Sequence, residues 1–384
     1  MSAQLTTDAS ALLAERLGSR PDGVWFAPGR VNLIGEHTDY NDGYVLPLAL
    51  PHGTAAAVAV RDDDRLRLTS AADPETVELR VSDLTPGATG GWAAYVAGTV
   101  WAMGEGGVDV PGLDVAVVGN VPLGAGLSSS ASLECSVALA VNDLTDAARQ
   151  RTELASVARH AENDYVGMPC GVMDQMASMH GESDHLVFLD TRTLHVEQVP
   201  FDLRRSALTL LVIDTRAPHR LTDGAYAQRR AACESACVVL GVDALRDVHD
   251  LDAALRVLAD EELRRRVRHV VTEDQRVLDV VAHLRSGDDP RSVGPLLTAS
   301  HASLRDDYEV TVAELDVAVE AALAAGAHGA RMTGGGFGGS VIALVDDHDA
   351  AKVSSAVSAA FAENGFTAPV TFTARPSAGA RRLT

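Results

Sequence analysis

Lysine is nearly absent from this chain of 384 residues: of its 32 basic residues, only Lys352 is a lysine. Lys352 lies in a late amphipathic helical pattern that adjoins no glycine-rich loop. The P-loop lysine, the strand lysine of protein kinases and a Schiff-base lysine therefore have no candidate residue. Any phosphate chemistry must instead use arginine, backbone N–H groups and a metal ion.

Cysteines and long apolar runs are also scarce. No CxxC pair occurs among the four cysteines, which are Cys135, Cys170, Cys233 and Cys237. At this content, buried thiols in a reducing cytosol are favoured over disulfides or a zinc site. Segment 1–20 carries Asp8 and Glu15 and no continuous apolar core, so no signal peptide is predicted. No apolar run approaches the ~18 residues that cross a bilayer, and we expect a soluble, cytoplasmic protein.

Positive charge is in deficit, with a formal net charge of −21. Nucleic acid and anionic membranes both require a basic patch, so neither is expected as a partner. The acidic residues are spread along the chain and favour solubility. With 46% hydrophobic residues, the chain can bury a large core, and its length predicts two domains. We place the boundary near Phe201 to Ser206, giving domains 1–204 and 205–384, and we expect a monomer.

Strand and helix patterns are mixed along the whole chain. The first half has strand patterns at 66–68, 77–81, 113–117, 186–188 and 194–199, and helical patterns at 129–141 and 152–164. The second half has strand patterns at 208–213, 341–345 and 370–374, and helical patterns at 226–240, 262–284, 312–325 and 350–364. The mixture predicts an α+β fold in both halves.

A polar block follows a strand-like run near the N-terminus. Val31, Leu33 and Ile34 lead through Gly35 into seven polar residues, which are Glu36, His37, Thr38, Asp39, Tyr40, Asn41 and Asp42. Such side chains are costly to place unless they face a ligand or water. Carboxylates, an imidazole and hydroxyls suit a polyhydroxylated ligand, because each sugar hydroxyl both donates and accepts. We favour a sugar site over a solvated loop that only turns the chain.

The segment from Val121 to Ser132 joins a predicted strand to a predicted helix. Gly124 and Gly126 let the backbone approach a ligand, and three hydroxyls follow at the helix N-terminus, on Ser128, Ser129 and Ser130. Free N–H groups and the helix dipole favour an anion there, and a serine hydroxyl can also ligate Mg²⁺. A single serine N-cap would explain one hydroxyl, but three favour a phosphate loop. The loop lacks the Gly-Lys-Ser/Thr ending of a Walker A motif.

A second glycine-rich segment, Thr333 to Gly339, formally matches GxGxxG at its glycines 334, 336 and 339. A dinucleotide-binding fingerprint opens a helix, whereas Ser340 to Val345 has a strand pattern, so we reject a nicotinamide site. We predict a turn that closes over the active site from the second domain. A flexible hairpin is the alternative interpretation.

Two isolated carboxylates complete the candidate site. Asp174 stands among apolar residues, and a partly buried acid must pair with a cation or become protonated. Arg30 is a candidate partner. Glu162 lies at the edge of the apolar stripe of its helix, from which it could reach a metal held by the serine loop. For either acid alone, a salt bridge or a helix-surface charge is the ordinary interpretation.

With these segments the chain resembles the GHMP small-molecule kinases and, within them, the galactokinases. Gly29 to Gly43 is similar to the galactokinase signature, Pro122 to Ser132 to the shared ATP loop, and Arg331 to Gly339 to the third family motif. The first motif is specific to galactokinases, and the other two mark the superfamily. The resemblance implies an N-terminal domain like domain 2 of ribosomal protein S5 and a ferredoxin-like C-terminal domain.

The resemblance also implies that the chain uses ATP and Mg²⁺ to phosphorylate the anomeric hydroxyl of α-D-galactose, giving galactose 1-phosphate. By position, Asp174 would be the catalytic base and Arg30 the transition-state stabiliser. The sugar would contact Glu36, His37, Thr38, Asp39, Gly171 and Tyr226. The nucleotide would lie against Ser70, Trp92, Gly124, Ala125, Gly126, Leu127, Ser128, Ser129 and Ser130, and Mg²⁺ against Ser130 and Glu162. Because Arg30 would keep Asp174 ionised, we expect this carboxylate chiefly to orient the sugar hydroxyl and to accept its proton late.

One departure from the family pattern bears on the sugar. Many galactokinases carry an Asn-Ser pair where this chain has Thr215 to Arg220, which leaves the fine sugar preference open. A kinase for another sugar, such as N-acetylgalactosamine or arabinose, is therefore one alternative. A non-catalytic sensor of sugar and ATP is the other, and the intact serine loop with Asp174 and Arg30 disfavours it.

Overall fold

The computed structural model describes residues 2–122, 124–217 and 222–384. The strands in this part of the chain are β1 (Gly23–Asn32), β2 (Tyr44–Val45), β3 (Pro47–Val60), β4 (Arg65–Ser70), β5 (Asp73–Arg80), β6 (Leu113–Gly119), β7 (His185–Asp190), β8 (His195–Pro200), β9 (Leu208–Asp214), β10 (Gly329–Thr333), β11 (Ser340–Asp346), β12 (Val370–Ala374) and β13 (Arg381–Arg382). The helices are α1 (Ser2–Leu17), α2 (Gly91–Glu105), α3 (Ser129–Leu144), α4 (Arg151–His160), α5 (Met173–His180), α6 (Thr222–Leu240), α7 (Leu251–Val257), α8 (Glu261–Ser286), α9 (Gly294–Ser303), α10 (Ala313–Ala324) and α11 (Ala350–Glu363).

The described strands form three sheets. The first has the order β13-β1-β3-β6-β4-β5 and contains one parallel pair, β4 with β6, among antiparallel neighbours. The second, β10-β11-β9-β12, is antiparallel throughout. A small third sheet has the order β2-β7-β8. Each half of the chain thus combines sheet and helix with antiparallel pairing, which confirms the predicted α+β fold.

Strand β1 is enclosed on both faces of the first sheet. Val24 and Phe26 pack with Leu13 of α1 on one side, and Trp25 packs in the cluster that contains Val137 of α3 on the other. All ten residues of β1 are buried. The sequence analysis found only the end of β1, in the strand-like run that starts at Val31, and missed β3, because strands buried on both faces lack the alternation that predicts a half-buried strand. The result is a rigid strand, and it carries Arg30.

The two halves share an apolar cluster beneath the polar block. Leu33 and Ile34, which precede that block, pack there with Val277 of α8 and Ile342 of β11. The polar block therefore starts from a base to which both halves contribute. Among the described helices, none is both long and apolar enough to cross a membrane.

Most of the predicted elements are present with boundaries shifted by a few residues. The helical patterns at 129–141 and 262–284 correspond to α3 and α8, and the rejected nucleotide fingerprint indeed leads into strand β11. The pattern at 152–164 forms α4 only as far as His160. A wider π-helical turn, Ala161–Val166, then takes over and carries Glu162.

The last strand returns to the first sheet. Strand β13 pairs with β1 through Trp25 opposite Arg382 and Phe26 opposite Arg381. Residues of the predicted second domain therefore complete the sheet of the first. The division into domains 1–204 and 205–384 stays a prediction, and β13 crosses that predicted boundary.

Candidate active site

Adjoining cavities form one cleft along the polar block, α5 and the serine loop. The first has a volume of about 540 Å³, and its walls include Glu36, His37, Asp39, Gly171 and Tyr226. Glycines of the second glycine-rich segment also line it, at positions 334, 335 and 336. This segment, from the second half of the chain, therefore forms part of the wall of the first cavity.

Two further cavities continue the cleft toward α2. The second, of about 300 Å³, lies over the serine loop and shares Arg30 and Asp174 with the first. The third, of about 410 Å³, is lined by Ser70 and Trp92 and shares two loop serines, Ser129 and Ser130, with the second. Segments that lie far apart in the sequence thus line adjoining cavities.

Asp174 and Arg30 form an ion pair where the first two cavities meet. Asp174 lies in the first turn of α5, and its Oδ1 accepts from Arg30 Nε at 2.8 Å and lies 2.8 Å from Arg30 Nη2. Arg30 Nη1 also donates to the carbonyl of Gly126 at 2.7 Å. The arginine side chain is 6% exposed and that of the aspartate 26%. The guanidinium therefore joins the carboxylate to the serine loop, while the carboxylate stays accessible from the cleft.

Glu36 is held by residues from both ends of the sequence. Its Oε1 accepts from the backbone N–H of Gly334 and its Oε2 from Asn32 Nδ2, both at 2.7 Å. Arg331 Nη1 lies 3.5 Å from Oε1 and 3.2 Å from the carbonyl oxygens of Asn32 and Leu33. A buried charge paired in this way is fixed in orientation. The glutamate thus ties the polar block to the second glycine-rich segment.

His37 lines the first cavity, and its imidazole is neutral. Burial, with a further contribution from His269, lowers the pKa of His37 to about 3. Its Nδ1 lies 2.8 Å from the hydroxyl of Tyr40, and its ring centroid lies 5.6 Å from that of Tyr226 on α6. A neutral imidazole next to two phenols can donate and accept hydrogen bonds, as a sugar hydroxyl requires.

Asp39 is a carboxyl group with an altered proton affinity. Burial raises its pKa to about 7, helped by the negative charges of Asp174 and Glu36 and opposed by Arg30. Gly171 leaves the space that this side chain occupies, since a Cβ there would lie 1.8 Å from Asp39 Oδ2. The glycine and the aspartate are therefore fitted to each other at the cavity wall.

Thr38 has a different position from the one predicted for a sugar ligand. It is fully buried, and its hydroxyl lies 2.9 Å from the carbonyl oxygen of Gly35 and 2.7 Å from that of Tyr44. Because these backbone contacts use its hydroxyl to close the loop, we correct its assignment from substrate binding to loop structure.

The serine loop is held from both sides. Gly124 and Gly126 adopt left-handed φ values of 73° and 70°. Between and after them, the carbonyl of Ala125 accepts from Ser340 Oγ at 2.7 Å, and that of Leu127 accepts from the backbone N–H of Arg30 at 3.1 Å. Helix α3 then begins at Ser129, so free N–H groups of its first turn are available to an anion in the second cavity.

Trp92 and Ser70 form part of a wall that could receive a flat ring. Trp92 stands in the first turn of α2, and its Nε1 donates to Asp73 Oδ2 at 3.1 Å, which fixes the indole. Ser70 ends β4, and its Oγ accepts from the N–H of Ala72 at 3.2 Å. The third cavity between them is mostly apolar in its lining, with Leu133 and Val121 as further walls.

The surroundings of Glu162 suit a divalent cation. Burial, and then the charge of Asp174, raise the pKa of Glu162, while Ser130 and Cys170 oppose the rise through hydrogen bonds. Buried Glu134 has a pKa raised well above its usual value by burial and by Glu162. Among the described residues, no three acidic, histidine or cysteine side chains form a complete metal site. Mg²⁺ often takes one or two carboxylates and completes its shell with phosphate and water, so the donors present fit this ion.

Comparison with known proteins places the chain in a family. The family model described as galactokinase galactose-binding signature matches residues 12–60, and those of the GHMP kinase N-terminal and C-terminal domains match 94–182 and 281–363. A galactokinase of Streptomyces coelicolor is 57% identical over 373 residues, which are 96% of this chain and 96% of that protein. This chain belongs to the galactokinase family. The resemblance inferred from the motifs is confirmed.

Other members of the galactokinase family agree with this assignment. One from Mycobacterium bovis is 46% identical over 345 residues, covering 89% of this chain and 94% of its own. The structure of Lactococcus lactis galactokinase in complex with galactose superposes with a TM-score of 0.93 at 35% identity, over 99% of each chain. Methanococcus jannaschii mevalonate kinase, at 15% identity and a TM-score of 0.67 over 92% and 98% of the chains, shows the shared fold alone. The predicted two-domain kinase architecture is confirmed.

The sequence analysis assigned no individual role to several residues that support the candidate site. Arg331 is fully buried, and Glu273 of α8 accepts from the backbone N–H of Gly35 at 3.0 Å and from Ser300 Oγ at 2.6 Å. Arg331 could have been noticed from the sequence as a charged residue directly before the second glycine-rich segment. Glu273 and Glu134 carry no comparable signal, because acidic residues are ordinary on helices.

The structure does not describe residues 218–220 of the segment from Thr215 to Arg220, which departs from the family pattern, nor Leu123 of the serine loop.

Proposed function

We propose that this chain transfers the γ-phosphoryl group of ATP to the anomeric hydroxyl of α-D-galactose in the cleft described above. One observation carries the proposal: the Arg30–Asp174 pair stands where a sugar-sized cavity meets a serine loop at a helix N-terminus. A phosphoryl acceptor in the first cavity and a donor in the second would meet at this pair. Phosphoryl transfer depends mainly on such positioning and on neutralisation of charge.

Asp174 and Arg30 have complementary roles in this proposal. The carboxylate accepts a hydrogen bond from the anomeric hydroxyl, orients its oxygen toward the phosphorus and takes the proton late in the transfer. Three contacts fix Arg30, two to the carboxylate of Asp174 and one to the carbonyl of Gly126. Its charge therefore needs no rearrangement during the reaction. The guanidinium stabilises the charge that develops on the transferring group.

The sugar contacts are assigned to the walls of the first cavity. Glu36 keeps acceptor capacity beyond its two short hydrogen bonds, because each carboxylate oxygen has two lone pairs. His37, Asp39 and Tyr226 present a neutral imidazole, a carboxyl and a phenol to the remaining hydroxyls. Gly171 contributes by leaving space for Asp39.

The nucleotide is assigned to the second and third cavities. Its phosphates would lie over the serine loop, against the backbone of Gly124, Ala125, Gly126, Leu127 and Ser128 and the side chains of Ser129 and Ser130. The adenine would lie near Trp92 and Ser70. Ser130 and Glu162 would hold Mg²⁺, which supplies charge neutralisation for the phosphates. We also propose that the protein acts as a cytoplasmic monomer without nucleic-acid or membrane partners, and its net charge of −21 supports the absence of those two kinds of partner.

A substrate panel tests the proposal. Purified protein is incubated with Mg-ATP and, separately, galactose, glucose, N-acetylgalactosamine or arabinose, and the product is identified by phosphorus NMR. We expect galactose 1-phosphate. Faster turnover of another sugar would favour the alternative kinase. Binding of galactose and ATP without any product would favour a sensor.

A further inference from the structure

Ser128 has a backbone conformation that an ordinary helix N-cap does not need. Its φ and ψ are 59° and 52°, in the left-handed region that serine rarely adopts. A serine N-cap normally has extended backbone and accepts a hydrogen bond from the N2 or N3 amide of its helix. Within the described residues Ser128 makes no such capping bond. Such strain persists only where the surroundings demand it and often marks a functional position.

The hydroxyl of Ser128 points to the carboxylate of Asp174. Ser128 Oγ donates to Asp174 Oδ2 at 2.5 Å, while Arg30 binds Oδ1 on the other side. The two donors come from different elements, the serine loop and β1, and together they fix the rotation of the carboxylate. Ser128 as a whole is also nearly buried, at 9% exposure, so water competes little for its hydroxyl.

A hydroxyl whose single O–H donates a hydrogen bond to Asp174 has only lone pairs left for other partners. Lone pairs repel the oxygens of a phosphate, so this side chain is poorly suited to hold the nucleotide. All three serines line the second cavity, but only Ser129 and Ser130 also line the third. Within one run of three serines, the first therefore has a task separate from that of the other two.

We propose that Ser128 is a positioning residue that orients Asp174 for phosphoryl transfer, an inference that rests on the proposed function. It acts on the rate of transfer through Asp174, not on the binding of ATP. It also links the sugar and nucleotide parts of the cleft, since the residue directly before helix α3, whose first turn faces the phosphates, holds the group that receives the sugar proton.

Ser128→Gly is the decisive variant, because glycine adopts the left-handed conformation without strain while the hydroxyl is lost. We expect kcat to fall by about 10- to 100-fold, the usual cost of removing a group that orients a functional side chain. The KM values for ATP and galactose should change less than threefold. Ser129→Ala is the comparison from the same loop, and we expect it to raise the KM for ATP. Calorimetric galactose binding and thermal unfolding report whether each variant is folded.

A double-mutant cycle with Asp174→Asn separates positioning from structure. In the Asp174→Asn background, the loss caused by Ser128→Gly should vanish, because the carboxylate that it orients is gone. Equal losses in both backgrounds, an unchanged kcat, or a KM for ATP raised tenfold with kcat unchanged would each overturn the proposal. Wild-type protein that forms no galactose 1-phosphate would instead refute the proposed function.

Discussion

Gly171→Ala tests whether the glycine and Asp39 are fitted to each other for the sugar. The added Cβ would lie 1.8 Å from Asp39 Oδ2 and 2.2 Å from its Cγ, which are impossible contacts. Position 171 does not have a left-handed φ, so alanine brings no backbone strain there. The short, flexible carboxyl group must therefore swing away while the fold is kept.

The expected loss follows from the contact that Asp39 would give up. Well above pH 7, where Asp39 with its pKa of about 7 is ionised, its hydrogen bond contributes about 1.5–3 kcal/mol, which corresponds to roughly 10- to 150-fold in a dissociation constant. We expect the Kd for galactose to rise by that factor in calorimetry, with the Kd for ATP unchanged. The third cavity, where the adenine is assigned, does not include either residue.

Gly104→Ala is a matched control, because a Cβ there meets nothing within 4 Å and its φ is not left-handed. Galactose affinity should stay at the wild-type level in this variant. Wild-type galactose affinity in Gly171→Ala would refute the proposed role of Asp39. Equal losses for galactose and ATP would show a general distortion of the cleft.

Three further outcomes are expected. Asp174→Asn should lower kcat at least about 100-fold in a steady-state assay, the scale of a positioned acid–base group, and a loss of only a few-fold would remove it from the mechanism. Glu162→Gln should weaken Mg²⁺ binding in a calorimetric titration with a nonhydrolysable ATP analogue, and an unchanged titration would exclude it as a ligand. Because burial raises the pKa of Asp39 to about 7, the folded chain holds a proton that the unfolded chain releases near pH 4. The stability contributed by this proton is therefore lost as pH rises from about 4 to 7. In urea titrations over this pH range, the free energy of unfolding of Asp39→Asn should fall less than that of the wild type. A parallel fall in both would contradict this.

Contiguous features of the site were predictable from sequence. Seven polar residues in a row and three serines after two glycines are recognisable, because each of these ligand-facing features lies within one short stretch of sequence. The pairing of Arg30 with Asp174 followed from a weaker argument, that a partly buried acid needs a cation. Regular helices such as α3 and α8 were predictable because one face of each is apolar.

Contacts between distant parts of the chain were not predictable in this way. Glu36 accepts a hydrogen bond from the backbone N–H of Gly334, which lies 298 residues later in the chain. Nothing in the sequence of either segment indicates that the two are in contact. Thr38 was misassigned because polarity alone does not reveal whether a hydroxyl faces a ligand or closes its own loop. The left-handed backbone conformation of Ser128 and the direction of its hydroxyl are not visible in a run of three identical residues.

The edge pairing of β13 has a consequence for biosynthesis. Arg382 Nη2 donates to the carbonyl of Asp22 across 360 residues, so the neighbour of β1 leaves the ribosome long after β1 itself. Until then, that border of the nascent sheet presents unpaired amides and carbonyls, which are templates for aggregation. Variants altered at Arg381 and Arg382 should therefore accumulate less soluble protein during expression, even where the finished enzyme turns over normally.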